Sequence, residues 1–572
     1  MTTGFHGIVG VVWAGVLAAC LSQARICAAN DGDDRLAAAA AADYARPVRP
    51  GGIDGRRFWN GYSVRFLYPP AFGFAAVDGA VRYRFDVVDG RQGRHGFEAE
   101  RPTADLSPVW SGLPVGYVTV NVTGLDAAGR AVGEAGTRRF WRDAPYAPGS
   151  YPKKPWSYME CVRRYYPILF AHRNTRHFLE HGTPDGVTDL FNIYPSKMNS
   201  SLVRAMLRYS RLEPSRRADA MKVAKAAADF MISISQPPDA PLAFFPPTYR
   251  KMDGQKTNFA SVRYAGQNML VYPASMGGAY LELYEACGER RFLDAAIGIA
   301  GTYRKLQLPE GTWYLKMWER DGTPVAGGDG DRPVRLIPIQ VCGFLERLAD
   351  VTKDDSWRAV AAKAFAYIEK GPLRTWDWAA QFEDTPPSAG YRNHSSCEAM
   401  SVAHYLMTRR AADPEKRMLA RELVRWVEDQ FVFWRKPSGP DGECVIACKE
   451  DVFGPWAPNR GKLAFSEWPE DLPGVTEKYH WMMMENGLAT LMMRVYVDLY
   501  RLDGDELALA KARTLGDSVV RVQQMGGDGE IASEWRKQYF VGSRCPHIWM
   551  NCSVTTVTTL EDLAPALEGT DR

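Results

Sequence analysis

The 572-residue chain has almost no excess of charge of either sign, with 70 Lys and Arg against 67 Asp and Glu and a net charge of +3. This balance argues against binding to nucleic acid or to a membrane surface, because both call for a strongly charged patch. The sequence also lacks an EF-hand calcium loop and a phosphate-binding glycine loop. No metal and no cofactor is therefore predicted, although these absences leave open a metal site built from scattered residues.

Long hydrophobic runs are missing after residue 21, which predicts that no later segment crosses a membrane. The run Ile8–Leu21 is apolar but too short to span a bilayer, as in an export signal. Residues 1–29 are predicted to be such a signal, processed either at Cys20, which would then carry a lipid, or after Ala29. The expected location is the periplasm or the outer membrane, as a lipoprotein, or the medium, as a secreted protein.

Cysteine is scarce, with 10 residues in the chain, and Cys20 and Cys27 lie in the predicted signal. Most of the others stand singly on predicted helical faces, which is typical of buried thiols. The close pairs are Cys444 with Cys448 and Cys545 with Cys552, and either pair suits a disulfide in an exported protein. Zinc is disfavoured, because no second Cys or His pair at ligand spacing accompanies them.

Helical periodicity dominates from residue 157 onward. The clearest unit, 264–306, consists of two amphipathic helices joined by a tight turn at Gly288 and followed by an aromatic-rich extended run. A helical hairpin buries its apolar face only by stacking on neighbours, so its repetition predicts a ring or solenoid. The unit recurs at 195–235, 334–371, 394–434 and 481–524, and the segments 158–179 and 548–560 are predicted to form a sixth pair that closes a ring.

The connections between hairpins are long, whereas those within hairpins are short. In a closed ring the long links fall on one face, where long connections usually carry function. An aromatic rim there suits stacking on sugar rings, although each ring can equally pack its link against the helices. The long links are 236–263, 308–333, 372–393, 435–480 and 525–547, and their aromatics are Phe244, Phe245, Tyr249, Trp313, Trp318, Trp376, Trp378, Phe453, Trp456, Trp468, Trp535 and Tyr539.

The hairpin pattern over about residues 155–562 resembles the six-hairpin (α/α)6 toroid superfamily of carbohydrate-active enzymes. The links that begin Gly311-Thr312-Trp313 and Asp528-Gly529-Glu530-Ile531 add to the resemblance. It implies a mainly α fold, an (α/α)6 toroid, that acts on a poly- or oligosaccharide. The superfamily includes glycoside hydrolases, polysaccharide lyases and sugar epimerases, and no motif selects one of them.

Residues 58–145 are rich in strands instead, with alternating runs such as 81–88 and 116–122 separated by turn signals. This pattern resembles a fibronectin type III or immunoglobulin-like sandwich, which implies a small β-sandwich module that packs on the toroid. The predicted division is a flexible tether at 30–57, the module at 58–145, a linker at 146–156 and the toroid at 157–565.

Candidate site residues are polar groups at the starts of the inner helices, because a toroid of this kind presents those ends to the long links. His394 and Glu398 are four residues apart, so they are predicted to share a helical face as a proton-transferring pair. The predicted catalytic residues are Glu477, Glu398, Tyr479, His480 and His394. The predicted substrate-binding residues are Asp189, Asn192, Tyr194, Lys197, Gln267, Trp313, Arg335, Arg392, Asn393, Glu485 and Trp535.

Two reactions fit these residues. Hydrolysis needs two carboxylates across a sugar, for which Glu398 and Glu477 are the candidates, and it is preferred because it is commoner on this architecture. Lytic elimination or uronate epimerisation instead needs a Tyr or His acid–base pair and groups that neutralise a carboxylate. A glycan-binding lipoprotein without catalysis is the alternative from another class.

Overall fold

A computed structural model describes residues 34–48, 63–186, 190–255, 260–326, 332–382, 394–438, 471–478, 481–526 and 549–569. The predicted export signal, Cys444, Cys448 and Cys545 lie outside these residues, so the signal and both cysteine pairings stay predictions. Within the described ranges no helix is long and apolar enough to cross a membrane.

An N-terminal helix, α1 (34–44), precedes a β-rich module. In the described part of this module, one five-stranded sheet has the order β1-β7-β6-β3-β4 and a two-stranded sheet pairs β2 with β5. Phe85, Val118 and Trp110 belong to a buried cluster that the alternating strands β3 and β6 build with the short helix. The elements are β1 (Arg65–Phe66), β2 (Ala71–Gly73), β3 (Arg82–Asp89), β4 (Arg94–Ala99), β5 (Thr103–Asp105), α2 (Ser107–Trp110), β6 (Gly116–Leu125) and β7 (Ala131–Arg142).

Helices dominate the rest of the chain, and short strands lie in the links between them. The helices are α3 (Tyr158–Ala171), α4 (Arg173–His181), α5 (Leu190–Ile193), α6 (Pro195–Leu212), α7 (Arg217–Ser233), α8 (Ala260–Arg263), α9 (Tyr272–Cys287), α10 (Arg290–Leu306), α11 (Ile339–Thr352), α12 (Ser356–Lys370), α13 (Pro372–Thr375), α14 (Ser396–Arg409), α15 (Pro414–Phe431), α16 (Asn486–Asp503), α17 (Glu506–Gly526) and α18 (Met550–Glu568). The strands are β8 (Gln267–Met269), β9 (Lys316–Trp318), β10 (Val432–Phe433), β11 (Gly474–Lys478) and β12 (Trp481–Met484).

The long helices form a closed double ring, which confirms the mainly α toroid. In the described residues the inner ring runs α6, α9, α11, α14, α16 and α18, each packed on the next, and α18 packs on α6. The outer partners are α7, α10, α12, α15, α17 and, for α18, the early helix α3. Residues from both ends of the toroid sequence therefore form the sixth pair, as the pattern predicts.

The starts of the inner helices lie together at one end of the ring, which we call the mouth. Side chains at these starts, and in the links that lead to them, contact one another around the ring. The contacts are Lys197 with Tyr272 and Trp549, Glu485 with Cys552, Ser396 with Glu477, and Ile337 with Gln381. The long links therefore gather at one end.

Several predicted helix starts are wrong, because a strand takes the first residues of the segment. Residues 267–269 pair with 316–318 as the β8–β9 ribbon, so α9 begins at Tyr272 and not at Tyr264. Trp481–Met484 is strand β12, and α16 begins after Glu485. Helical periodicity does not distinguish such a short paired strand from a first helical turn.

The segment 34–48 was predicted to be part of a flexible tether, but the structure shows it docked on the toroid. Asp43 at the end of α1 accepts hydrogen bonds from Lys511 on α17 and Arg425 on α15. The β module is attached at the same outer helix, where Asp429 accepts the backbone N–H groups of Leu67 and Tyr68 at 2.7 and 2.8 Å. The module is therefore packed on the helical ring through buried polar contacts.

Candidate active site

Glu398 occupies the first turn of α14, at the mouth. Ser395 caps this helix by accepting the N–H of Cys397, and its hydroxyl also hydrogen-bonds the Glu398 carboxylate. The pair therefore resembles a capping box, in which the glutamate has a structural role. The capping interaction leaves one carboxyl oxygen unused, however: Glu398 Oε2 is buried and has no hydrogen-bond partner in the described residues.

Burial raises the pKa of Glu398 to about 8, and the negative charge of Glu477 adds to the effect. A carboxyl group in this state keeps its proton at neutral pH. Burial also raises the pKa of the Cys397 thiol, and the charges of Glu398, Glu485 and Glu477 add to it. All three carboxyl groups, Glu398, Glu477 and Glu485, therefore act on the same thiol, and we call them the carboxylate cluster.

A small sheet carries Glu477 to the start of α14. Strand β11 pairs with β10, which directly follows α15, and with β12, so the link is anchored on both sides. The Ser396 hydroxyl donates to the backbone carbonyl of Glu477 at 3.4 Å and so ties β11 to the helix start. Glu485 follows β12, and its backbone N–H donates to Val475 at 3.0 Å. The sequence placed all three carboxylates at helix starts, and the sheet brings them together.

Cationic and aromatic side chains stand beside the cluster. The Lys197 ammonium lies 4.1 Å from the ring centre of Trp549 and 5.7 Å from that of Tyr272, within cation–π range. Burial raises the pKa of the Cys552 thiol; Glu485 adds to this and Lys197 opposes it, which places Lys197 near the cluster. Tyr194 is buried and its ring contacts Trp549 at 5.6 Å. Lys197 and Tyr194 therefore stand at the mouth, as predicted.

His394 does not share a helical face with Glu398, which corrects the predicted pair. The helix begins at Ser396, and His394 lies in an extended bridge to Ala379. Its Nε2 atom is instead 3.7 Å from Asp377 Oδ1. Burial raises the pKa of Asp377 to about 6. Sequence reasoning missed Asp377 because it stands between two tryptophans in a link, where nothing marks a short acidic residue as buried.

Other predicted binding residues are buried or engaged in ion pairs. Trp313 is fully buried, and its indole N–H donates to the Tyr303 carbonyl at 2.8 Å. Asn192 is buried and donates to the Asp185 carbonyl at 2.6 Å. Arg335 Nε lies 2.9 Å from Glu310 Oε1 in an ion pair. Gln267 is buried on strand β8 near the mouth.

The aromatic rim is largely absent from the described links. Phe245, Trp313 and Trp378 are fully buried, and Tyr249 and Trp376 nearly so, whereas Phe244 is 40% exposed and Trp318 is partly buried. The buried rings pack the links down and cannot stack on a sugar from the mouth. Six predicted site residues lie outside the described residues and stay predictions: Asp189, Arg392, Asn393, Tyr479, His480 and Trp535.

No protein-family model matches the chain, and no curated protein does. Similar solved structures include a family 76 glycoside hydrolase from a bovine Bacteroides thetaiotaomicron strain, at 9% identity and TM-score 0.43, covering 86% of this chain and 95% of that one. Cellobiose 2-epimerase from Spirochaeta thermophila has 12% identity and TM-score 0.43, covering 73% and 98%. Unsaturated glucuronyl hydrolase from Streptococcus agalactiae has 11% identity and TM-score 0.40, covering 71% and 91%. At identities and TM-scores this low, neither the substrates of these proteins nor the roles of their residues can be transferred to this chain.

Proposed function

We propose that the chain is a carbohydrate-active enzyme, a glycoside hydrolase that cleaves a glycan at the mouth of the ring. The observation that carries the proposal is the state of Glu398, a buried carboxyl group whose pKa is raised to about 8. A general acid must hold its proton until it meets the glycosidic oxygen, and a raised carboxyl pKa serves this purpose at neutral pH. Glu398 Oε2, with no hydrogen-bond partner in the described part of the chain, is the atom that would donate it.

The second carboxylate in this scheme is Glu477, whose charge acts on Glu398. It serves as base or as nucleophile, depending on its distance from the acid. Carboxyl groups about 5–5.5 Å apart retain the anomeric configuration, and groups about 6.5–9.5 Å apart leave room for water and invert it. Glu485 is the alternative candidate for this role. Lys197 and Trp549 form a wall beside the cluster that suits a sugar with an apolar face and polar edges.

A lyase or uronate epimerase is the second candidate, favoured by the buried His394 beside Asp377. These reactions remove a proton next to a carboxylate, and a histidine oriented by a carboxyl group can accept it. A glycan-binding protein without catalysis is the third. The preference for hydrolysis rests on Glu398, because a proton donor of its kind is the first requirement for cleavage.

The N-terminal module is proposed to be an accessory domain of the fibronectin type III or immunoglobulin-like kind. The facing sheets β1-β7-β6-β3-β4 and β2-β5 support this assignment. Its buried contacts with α15 support a collar that stabilises the toroid, in preference to an independent sugar-binding unit.

The test is incubation of the purified chain with a panel of neutral and uronate-containing polysaccharides. New reducing ends without the ultraviolet absorbance of an unsaturated uronate indicate a hydrolase, whereas that absorbance indicates a lyase. Glu398→Gln is expected to lower kcat by about 10²–10⁴, the usual contribution of general acid catalysis. The wild-type rate is expected to fall as the pH rises through about 8, where Glu398 loses its proton.

The matched control is Glu285→Gln, which changes a surface carboxylate with 45% of its side chain exposed and paired with Arg347. It is expected to keep the wild-type rate. A Glu398→Gln variant that is fully active would remove the proposed acid, and binding without any product would favour the glycan-binding alternative.

A further inference from the structure

A cavity of about 810 Å³ opens beside the mouth, between the link after α10 and the link after α12. Its volume lies in the range of roughly 300–1,000 Å³ that is usual for small-molecule sites. None of the carboxylate cluster lines it, so it is separate from the proposed catalytic groups. The residues that matter are Tyr314, Arg332, Tyr367, Asp377 and Gln381.

Asp377 supplies a hydrogen-bond acceptor to this cavity. Its side chain is 35% exposed. Oδ1 is buried beside His394 Nε2, at 3.7 Å, so the exposed remainder of the carboxylate is the part that a ligand can reach. The backbone just before it is strained, because Trp376 has a φ of 58°, which is uncommon for a residue with a bulky side chain. Trp376 is nearly buried against Trp426, at 6.2 Å between ring centres, so packing imposes this turn and presents Asp377 to the cavity.

Arg332 supplies donors at the rim. It is exposed, and in the described ranges no ion pair or hydrogen bond engages its guanidinium. The second arginine of the lining is already engaged: Arg335 Nε is 2.9 Å from Glu310, and its guanidinium covers the ring of Tyr314 at 4.2 Å. Among the described residues that line the cavity, Arg332 is therefore the cation that remains for a ligand.

The lining thus offers an acceptor-only carboxylate and a donor-only guanidinium in one cavity. A hydroxyl group both donates and accepts, so neighbouring hydroxyls of one sugar can engage both groups at once. A simple anion would be repelled by the negative charge of Asp377, and a simple cation would be repelled by the positive charge of Arg332. The ring of Tyr367 adds an apolar surface for the C–H face of a sugar.

We infer that this cavity is a saccharide subsite that binds a neutral sugar unit of the substrate through Arg332 and Asp377, away from the bond that is cleaved. The role of the cavity as a subsite rests on the proposed function, because a subsite contributes to catalysis only if a glycan occupies the mouth. Its binding chemistry depends only on the cavity.

Isothermal titration with cellobiose, mannobiose, lactose and glucuronate tests the inference. The full-length chain carrying Glu398→Gln serves as the parent, so that the probe is not consumed. At least one neutral disaccharide is expected to bind, and Arg332→Ala and Asp377→Asn are each expected to weaken it at least fivefold. Arg320→Ala is the matched control, since this arginine is exposed on the same link, pairs with Asp321 and does not line the cavity. Thermal melting checks that each variant is folded.

The inference is overturned if no neutral disaccharide binds, if both cavity variants bind as tightly as the parent, or if only glucuronate binding depends on Arg332. Kinetics separate this result from the fate of the proposed function. If the wild type cleaves a glycan and Arg332→Ala leaves KM unchanged, the subsite fails while the hydrolase stands. If no glycan is cleaved but disaccharide binding still needs Arg332 and Asp377, the hydrolase fails while the binding site stands.

Discussion

Glu398 is a carboxyl group that the fold keeps away from water at the mouth of the ring. Its ordinary pKa of 4.5 is raised to about 8, chiefly by burial. Between these pH values the folded chain holds a proton that the unfolded chain has released, so the free energy of unfolding decreases as the pH rises through this interval. Glu398 therefore lowers the free energy of unfolding at neutral pH. Such a destabilising group is typical of a residue that is kept for function.

Glu398→Gln is expected to remove this cost, because the amide does not ionise. The variant should match the wild type near pH 4 and below and become progressively more stable than it toward pH 8. Urea unfolding at a series of pH values measures the difference. Glu285→Gln, at the surface, should show no such growth, and parallel curves for Glu398→Gln and the wild type would contradict the raised pKa.

The close approach of two inner helices depends on a glycine. A Cβ atom added at Gly277 on α9 would lie 2.6 Å from the ring of Phe344 on α11. Phe344 is buried, so its ring has little room to move. The contact is therefore close-packed, and an added methyl group has no space to occupy.

Gly277→Ala is expected to lower the free energy of unfolding by about 1–3 kcal/mol, the usual cost of overpacking a core. Gly301→Ala on α10 is the matched control, since a Cβ atom there meets nothing within 4 Å. Because alanine favours a helix over glycine, the control should stabilise the chain by about 0.5–1 kcal/mol. Chemical denaturation compares the two, and equal shifts for both variants would contradict the steric argument.

At the scale of the whole molecule, a buried charge network joins the N-terminal helix to the ring. Lys511 on α17 lies 2.8 Å from Glu428 on α15 and 3.0 Å from Asp43 on α1. Burial by itself would lower the pKa of Lys511, but Glu428 and Asp43 outweigh it and raise it. Likewise burial opposes ionisation of Asp43, but Lys511 and Arg425 hold its pKa well below the usual value. Lys511 and Asp43 therefore both stay charged in the fold.

Lys511→Met is expected to lower the free energy of unfolding by about 3–5 kcal/mol, because it leaves the buried Glu428 carboxylate without its ammonium partner and removes one of the cations that bind Asp43. It should also release α1, which limited proteolysis detects as earlier cleavage near residue 43. Lys416→Met breaks a partly exposed pair with Glu369 and should cost only about 0–1 kcal/mol. Equal losses in the two variants would show that the network does not anchor α1.

The sequence by itself determined the ring of helical hairpins and the end at which its long links gather. Helical periodicity and turn residues such as Gly288 are local properties, so they can be read without knowing what packs against them. The same reasoning placed Glu398, Glu485 and Lys197 at the starts of inner helices, but it was wrong for Glu477, which lies on strand β11. It misplaced the start of α9 and the partner of His394, because strand pairing depends on residues distant in the chain.

Only the tertiary structure decided which of these residues are buried together. Trp313 and Trp378 look like rim aromatics in the sequence and are core residues in the fold, whereas Asp377 carries no signal and lines a cavity. The raised pKa of Glu398 comes chiefly from burial, and the charge of Glu477 on β11, distant in sequence, adds to it. Such an environment exists only once the ring has closed, so composition and spacing do not reveal it.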